Sequence, residues 1–367
     1  MLGRLFWVTA LLAVDLAAQD RLAEATQLNN LAARQYFEGK LDQAERLYRA
    51  ALAVQPPDAL AVAKVSSNLA ALLKRQYRYS DAEAFYRSAL DDRTNALGPR
   101  HPAVAVSLNN VGEICRLEGK YREAGDLFAR SLSILESAGD PKNTDLPVVM
   151  NNLAVIARVF QRYGDSERLL RTALRLKEEM FGPRDRQVAV TLNNLGQVLE
   201  DQNDRANAHA LYSRALEIVE SCGETCILDT AAALANIGRV TAEEQHYAEA
   251  ETLQKRALRL VETHVPLDAL LEAAVRQDMG NLYAATGRLE EAKTALRRSL
   301  SIRETILGRE HPLVADVLGD YARLLRRAGK KADAHRIEQR ARAVLAAQAR
   351  ENLTQYTIDV HTLRSLR

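Results

Sequence analysis

The sequence has few of the residues that build β-sheets and flexible loops. Aromatic residues make up only 5% of its 367 residues, and there are 17 glycines and 9 prolines. Alanine, leucine, arginine and glutamate are abundant instead, and these residues favour helices. The composition therefore argues against a β-sandwich and against a disordered chain. The hydrophobic share of 47% is enough for a large core.

An excess of charge of one sign is also lacking. Fifty basic residues balance 48 acidic ones, which gives a formal net charge of +2. A chain that binds nucleic acid or a membrane surface usually carries a clear basic excess. We therefore predict neither nucleic acid nor a membrane surface as a partner.

Catalytic motifs are missing as well. The sequence contains no Gly-rich phosphate loop, no His-Glu-x-x-His motif and no nucleophile elbow. Two of the seven histidines, His101 and His311, are similarly placed, but each precedes a proline at a predicted helix start. A structural role is therefore expected for both. We predict a non-enzymatic protein with no catalytic residue, metal or cofactor.

The three cysteines say little about the compartment. Cys115 lies on the packing side of a predicted helix and is expected to be a buried, inert thiol. Cys222 and Cys226 lie where two repeats join, and they are too few to hold zinc without other ligands. They could form a local disulfide in an oxidising compartment.

The N-terminus resembles a secretory signal peptide. Arg4 precedes an apolar run over residues 5–14, and cleavage after Ala18 would give a signal peptide of residues 1–18. Asp15 and Leu16 depart from the pattern, and the run is too short to span a bilayer. We predict export to the periplasm or the exterior. The alternative is an N-terminal amphipathic helix that covers the first repeat of a cytoplasmic protein.

The dominant pattern is the motif Leu-Asn-Asn-Leu-Gly at residues 192–196, which recurs along the chain. Its second Asn, here called the marker, repeats every 42 residues from position 68 onward, after a first step of 38. Repetition at such a period indicates a solenoid of stacked helix pairs, predicted here over residues 20–345. The markers are Asn30, Asn68, Asn110, Asn152, Asn194, Asn236, Asp278 and Asp320.

Columns of small residues support this prediction, because small side chains let two helices approach closely. One column lies two residues after each marker: Ala32, Ala70, Gly112, Ala154, Gly196, Gly238, Gly280 and Ala322. Another lies in the predicted second helix of each unit: Ala44, Ala82, Ala124, Ser166, Ala208, Ala250, Ala292 and Ala334.

These columns resemble the tetratricopeptide repeat. Its usual unit has 34 residues, and the longer unit here is similar to kinesin light chain repeats. The sequence Leu-Gly-Pro-Arg-His-Pro-Ala-Val-Ala at 97–105, and its near copy at 307–315, carry the same likeness. The resemblance implies an all-α, right-handed solenoid of eight repeats, whose first helices line a concave groove.

Helical rotation predicts which side chains face that groove. Positions four before, three after and seven after each marker cluster on the marker's side of the first helix. Asn amides could hold a peptide backbone, apolar residues a hydrophobic side chain, and Lys64 with Arg75 an acidic one. Alternatively, the markers bond to the neighbouring repeat and only fix its spacing. The candidate groove residues are Lys64, Asn68, Arg75, Asn110, Leu117, Asn152, Val155, Val159, Asn194 and Asn236.

The other Asn of each pair is rotated by about 100° and is expected to be structural. Residues 346–367 are predicted to be a helix end and a tail, with Tyr356–His361 extended and either loose or lying in the groove. The predicted function is a scaffold that binds a peptide or protein segment, and an acidic and hydrophobic segment would suit these columns. The alternatives are a sensor subunit acting with a separate enzyme or transcription factor, and an assembly protein that uses its convex face.

Overall fold

The computed structural model describes residues 2–140, 142–264 and 268–351, which contain sixteen α-helices, one short 3-10 helix (Gly223–Cys226) and no β-strand. The α-helices alternate as the first and second helix of eight pairs. The first helices are α1 (Leu2–Phe37), α3 (Ala59–Arg75), α5 (Pro102–Leu117), α7 (Asp145–Val159), α9 (Arg186–Asp201), α11 (Ile227–Glu243), α13 (Ala269–Ala285) and α15 (Pro312–Arg327). The second helices are α2 (Leu41–Ala53), α4 (Tyr79–Leu97), α6 (Tyr121–Ala138), α8 (Tyr163–Phe181), α10 (Arg205–Ser221), α12 (Tyr247–Thr263), α14 (Leu289–Leu307) and α16 (Lys331–Glu351). The predicted all-α array of eight helix pairs is confirmed.

The chain forms two compact units. Unit 1 comprises Met1–Leu117 and Asp126–Asp140, and unit 2 comprises Glu118–Gly125 and Pro141–Arg367. Within unit 1, α1 to α5 pack against one another in chain order, and within unit 2, α7 to α16 do the same. In unit 2 each first helix also contacts the first helix of the next repeat. The side chains on one face of successive first helices are therefore neighbours there.

The small residues lie where the two helices of a repeat approach closely. Both columns of small residues are buried in every repeat. A Cβ atom on Gly112 would lie 2.8 Å from the ring of Phe128, and one on Gly196 would overlap the ring of Tyr212. A large side chain of the second helix therefore fills the space that a small residue of the first helix leaves open.

The turn between the two helices of each repeat has one residue in the left-handed conformation. Glycine occupies this position in four repeats, but Tyr77, Gln161, Asn203 and Gln245 occupy it in the others, with φ between 57° and 67°. Side chains other than glycine are disfavoured in this region. The turn geometry is therefore imposed by the packing of the helices on either side, even where no glycine is present.

The two similarly placed histidines cap helices. Nδ1 of His101 and Nδ1 of His311 each accept a hydrogen bond from the backbone N–H two residues later, at 3.1 and 3.2 Å. Asp185 occupies the same position before α9, and its Oδ1 accepts the corresponding bond at 2.7 Å. These bonds satisfy N–H groups that have no partner inside the helix. This is the structural role expected from the sequence.

Helix α1 runs without interruption from Leu2 to Phe37, so the predicted cleavage point after Ala18 lies inside a helix. Export stays a prediction. No helix in the described part of the chain is long and apolar enough to cross a membrane. The predicted extended segment Tyr356–His361 lies outside the described residues.

Candidate functional site

The marker asparagines link neighbouring first helices. In three pairs of adjacent repeats, the Nδ2 atom of a marker donates a hydrogen bond to the Oδ1 atom of the other Asn in the preceding repeat. These bonds join Asn68 to Asn29 at 2.9 Å in unit 1, and Asn194 to Asn151 at 3.1 Å and Asn236 to Asn193 at 3.3 Å in unit 2. In these three pairs, the repeat is thus fixed to the one before it by an amide-to-amide bond.

These bonds leave part of each marker at the surface. Asn68, Asn194 and Asn236 are half-buried, whereas the acceptors Asn29 and Asn151 are only 4% and 7% exposed. An Asn side chain offers two donor hydrogens and an acceptor oxygen, and the bond to the preceding repeat uses one donor. A marker can therefore brace the scaffold and still face a ligand, so the two interpretations of the sequence are compatible.

The last two markers are aspartates, and the polarity of the link is reversed at the second of them, Asp320. The side-chain amides of Gln277 and Asn281 on α13 donate to Oδ2 of Asp320 on α15, at 2.6 and 2.9 Å. Asp320 is 6% exposed and also pairs with Arg323. The marker is here the acceptor of the interaction between repeats.

Exposed apolar side chains lie on the same face of the first helices in unit 2. Val159 on α7 is 39% exposed and Val190 on α9 is 37% exposed, while Val155 and the marker Asn152 are half-buried. Val190 stands four residues before its marker, as the predicted column requires. This face therefore offers apolar contact beside polar amides, which is the combination that a bound segment with mixed side chains needs.

The predicted basic residues lie in unit 1 and differ in their freedom to bind a ligand. Lys64 on α3 is exposed. Arg75 is half-buried; its Nη1 donates to the carbonyl of Tyr36 at 3.4 Å, and its guanidinium lies 5.1 Å from the centre of that residue's ring. Asn110 and Leu117 on α5 are also half-buried in this unit. Of the two cations, Lys64 is the better placed to meet an acidic group.

Ion pairs connect consecutive first helices in unit 2. Arg158 on α7 lies 3.0 Å from Asp201 on α9, and Arg239 on α11 pairs with Glu200 on α9. These pairs lie toward the C-terminal ends of the helices. Charged side chains there are mostly committed to neighbouring repeats rather than free for a ligand.

Sequence reasoning missed a cavity in the sixth and seventh repeats. It has a volume of about 370 Å³, and its lining includes Arg239, Gln254, Asp278 and Asn281. Burial raises the pKa of Asp278 to about 6, although the positive charges of Arg239 and Arg303 oppose the shift. The signal was present in the sequence, because Asp278 replaces the usual marker Asn and Gln254 is polar where six other repeats have a large apolar or aromatic residue.

The two cysteines at the repeat junction carry free thiols in the structure. Burial, and then a hydrogen bond with Cys222, raise the pKa of Cys226 to about 11. The high pKa disfavours the thiolate that attacks in disulfide exchange. Their disulfide stays a prediction.

The sequence matches a model of the tetratricopeptide repeat over residues 61–137, 145–221 and 270–347, and a second tetratricopeptide model over residues 230–268. The chain belongs to the tetratricopeptide repeat family. This fold is typically a non-enzymatic interaction scaffold. No curated protein sequence matches the chain significantly.

Solved structures share the fold of this tetratricopeptide protein. A Rap protein complexed with Competence and Sporulation Factor aligns with a TM-score of 0.66 and 14% identity, over 90% of this chain and 99% of that one. The apo quorum sensor NprR from B. thuringiensis aligns with a TM-score of 0.64 and 12% identity, over 88% and 87%. The apo form of RapI aligns with a TM-score of 0.61 and 15% identity, over 77% of this chain and 98% of that one.

Proposed function

We propose that this tetratricopeptide protein is a non-enzymatic scaffold that binds an extended peptide or protein segment on the face of its first helices. The observation that supports this most strongly is the combination found in unit 2. Marker amides that remain half-exposed and the exposed Val159 and Val190 share one face of consecutive first helices. Amides bind a peptide backbone whatever its sequence, and apolar residues select side chains.

The proposal is tested with peptides selected from a random display library on the full chain. Val190→Glu adds a charge to the first-helix face of the fifth repeat, and Ala210→Glu adds the same charge to an exposed position on the second helix of that repeat. We expect Val190→Glu to weaken binding of the selected peptides by about tenfold, since an apolar contact is replaced by a charge that must be desolvated. Ala210→Glu should leave binding unchanged.

Thermal unfolding of both variants separates loss of binding from loss of fold. Equal affinities of Val190→Glu and the unmodified chain would contradict the proposal. Loss of binding in Ala210→Glu alone would favour an assembly surface on the second helices instead.

A regulatory role is the second candidate. The Rap protein of similar fold is described as complexed with Competence and Sporulation Factor, and NprR is described as a quorum sensor. A regulatory subunit of this kind would change shape when a short peptide binds, whereas a scaffold would not. Small-angle X-ray scattering with and without a selected peptide distinguishes the two.

A further inference from the structure

The sixth repeat departs from the packing that six of the other repeats share. In the third, fifth, sixth and seventh repeats, one residue of the second helix packs against the glycine that stands two residues after the marker. Gln254 holds that position in the sixth repeat and packs against Gly238. A Cβ atom added to Gly238 would lie 3.0 Å from Nε2 of Gln254. In six other repeats the position is large and mainly apolar: Tyr48, Tyr86, Phe128, Leu170, Tyr212 and Leu296.

Gln254 is a buried polar residue with an unused acceptor. It is 1% exposed, and its Nε2 donates to the carbonyl of Ala235 at 2.9 Å. Its Oε1 is buried and has no hydrogen-bond partner among the described residues. A buried acceptor without a partner is costly and rare in folded proteins. Because Gln254 lines the cavity of about 370 Å³, a ligand in that cavity could supply the missing donor.

A second departure from the repeat lies beside the first. Asp278, which replaces the marker Asn in the seventh repeat, lines the same cavity, and 19% of its side chain is exposed. Its partner Arg239 is 4.0 Å away and is already engaged by Glu200 and by Oδ1 of Asn236. The carboxylate of Asp278 is thus only partly neutralised.

Other polar residues also line the cavity: Glu243, Gln245, Tyr247 and Asn281. The amide nitrogen of Asn281 donates one hydrogen to Asp320 at 2.9 Å, and the amide oxygen of Asn281 can accept from a ligand. Glu243 is paired with Arg205 at 2.8 Å. The cavity therefore offers the carboxylate of Asp278 and the unused amide oxygen of Gln254, which suit a cation with several N–H groups.

Resting on the proposed function above, we propose that this cavity binds the guanidinium group of an arginine side chain in the bound segment. A guanidinium is planar and carries five N–H donors in a fixed arrangement. It can donate to the carboxylate of Asp278 and to Oε1 of Gln254 together, whereas an ammonium group is a compact charge without that geometry. Both departures from the repeat, Gln254 and Asp278, are then explained by one ligand.

Isothermal titration calorimetry of the full chain with N-acetyl-L-arginine N-methylamide tests this. The matched probes are the citrulline amide, which has the same shape without the charge, and the lysine amide, which has the charge without the planar donors. We expect the arginine amide to bind about tenfold more tightly than either, because only it makes charge-assisted bonds to both acceptors. Equal binding of the citrulline or the lysine amide would overturn the proposal, and so would tighter binding of free L-arginine than of the blocked amide.

Two variants connect that binding to the cavity. Asp278→Asn restores the usual marker, and Gln254→Leu restores a residue found at this position in the fourth and seventh repeats, so both should fold. Each should weaken binding of the arginine amide by about tenfold. The control Asp229→Asn removes a carboxylate of the sixth repeat that pairs with Arg186 outside the cavity, and it should have no effect. Unchanged binding in Asp278→Asn would refute the assignment.

The outcome is independent of the test of the first-helix face. If Asp278→Asn loses binding of the arginine amide while Val190→Glu still binds the selected peptides, the cavity proposal stands and the proposal for the first-helix face is wrong. If the arginine amide still binds Asp278→Asn while Val190→Glu loses the peptides, the face proposal stands and the cavity proposal is wrong.

Discussion

Replacing Asp278 by Asn should stabilise this protein at neutral pH. Burial raises the pKa of Asp278 from its ordinary value of 3.8 to about 6. An acid whose pKa is higher in the folded state favours folding at low pH, and that contribution is lost as the pH rises through the folded pKa. The difference of about two pKa units corresponds to at most about 3 kcal/mol.

The expected gain is smaller than this limit. Since 19% of the Asp278 side chain is exposed, solvent screens part of its charge, and we expect Asp278→Asn to gain roughly 1–2 kcal/mol at pH 7. Arg239 loses one partner but keeps Glu200 and Asn236. Asn also holds the marker position in six other repeats, so the backbone should accept it.

Urea denaturation of the variant and the unmodified chain at pH 4, 6 and 7.5 measures this effect. The stability difference should be near zero at pH 4, where Asp278 is largely protonated in the folded state, and should grow up to pH 7.5. Asp229→Asn, which breaks an ion pair with Arg186, should give no gain at any pH. An Asp278→Asn variant that is no more stable at pH 7.5, or is equally more stable at pH 4, would refute the reasoning.

Three further predictions concern the scaffold. Gly196→Ala should cost about 1–3 kcal/mol in thermal unfolding, because the new methyl group overlaps the ring of Tyr212. Gln161→Gly should raise the free energy of unfolding in urea by about 0.5–1 kcal/mol, because Gln161 has a φ of 57°. Gly287→Ala, at the same turn position, should lower it by a similar amount. Lys177 is 3% exposed, and burial lowers its pKa to about 8. The free energy of unfolding in urea should therefore rise by up to about 3 kcal/mol as the pH increases from 8 to 10.5. The variant Lys177→Met should lack this rise.

Each of these has a clear opposing result. A Gly196→Ala variant with unchanged melting would mean that the helix pair of the fifth repeat can separate without cost. A destabilised Gln161→Gly variant would show that the side chain of Gln161 contributes more than its backbone conformation costs. For Lys177, a pH profile that the Met variant shares would assign the rise to other groups.

The fold was predictable because its determinants repeat. Small residues such as Gly112 and Gly196 recur at one spacing, and they mark the close approach of two helices whatever else changes around them. The capping role of His101 was predictable for the same reason, since it stands directly before a proline at a helix start. Because the same pattern occurs in eight repeats, a departure in one repeat does not change the predicted fold.

Details that depend on a partner residue could not be predicted. The left-handed turn at Tyr77 could not be predicted from a glycine, because none is present and the flanking helices impose the conformation. The sequence showed that two Asn side chains adjoin, but only the structure shows that Asn194 donates to Asn151. The cavity was missed because it arises from two departures, Gln254 and Asp278, that meet in space although 24 positions separate them in the sequence.

Photo-crosslinking most directly tests the central claim that the first-helix face binds the partner segment. A p-benzoylphenylalanine residue is placed at position 190 on α9 in one variant and at position 210 on α10 in another, and each is irradiated with a display-selected peptide. Both positions are exposed and belong to the same repeat. The account predicts a crosslinked product from position 190 and little or none from position 210. A product from position 210 alone would contradict it.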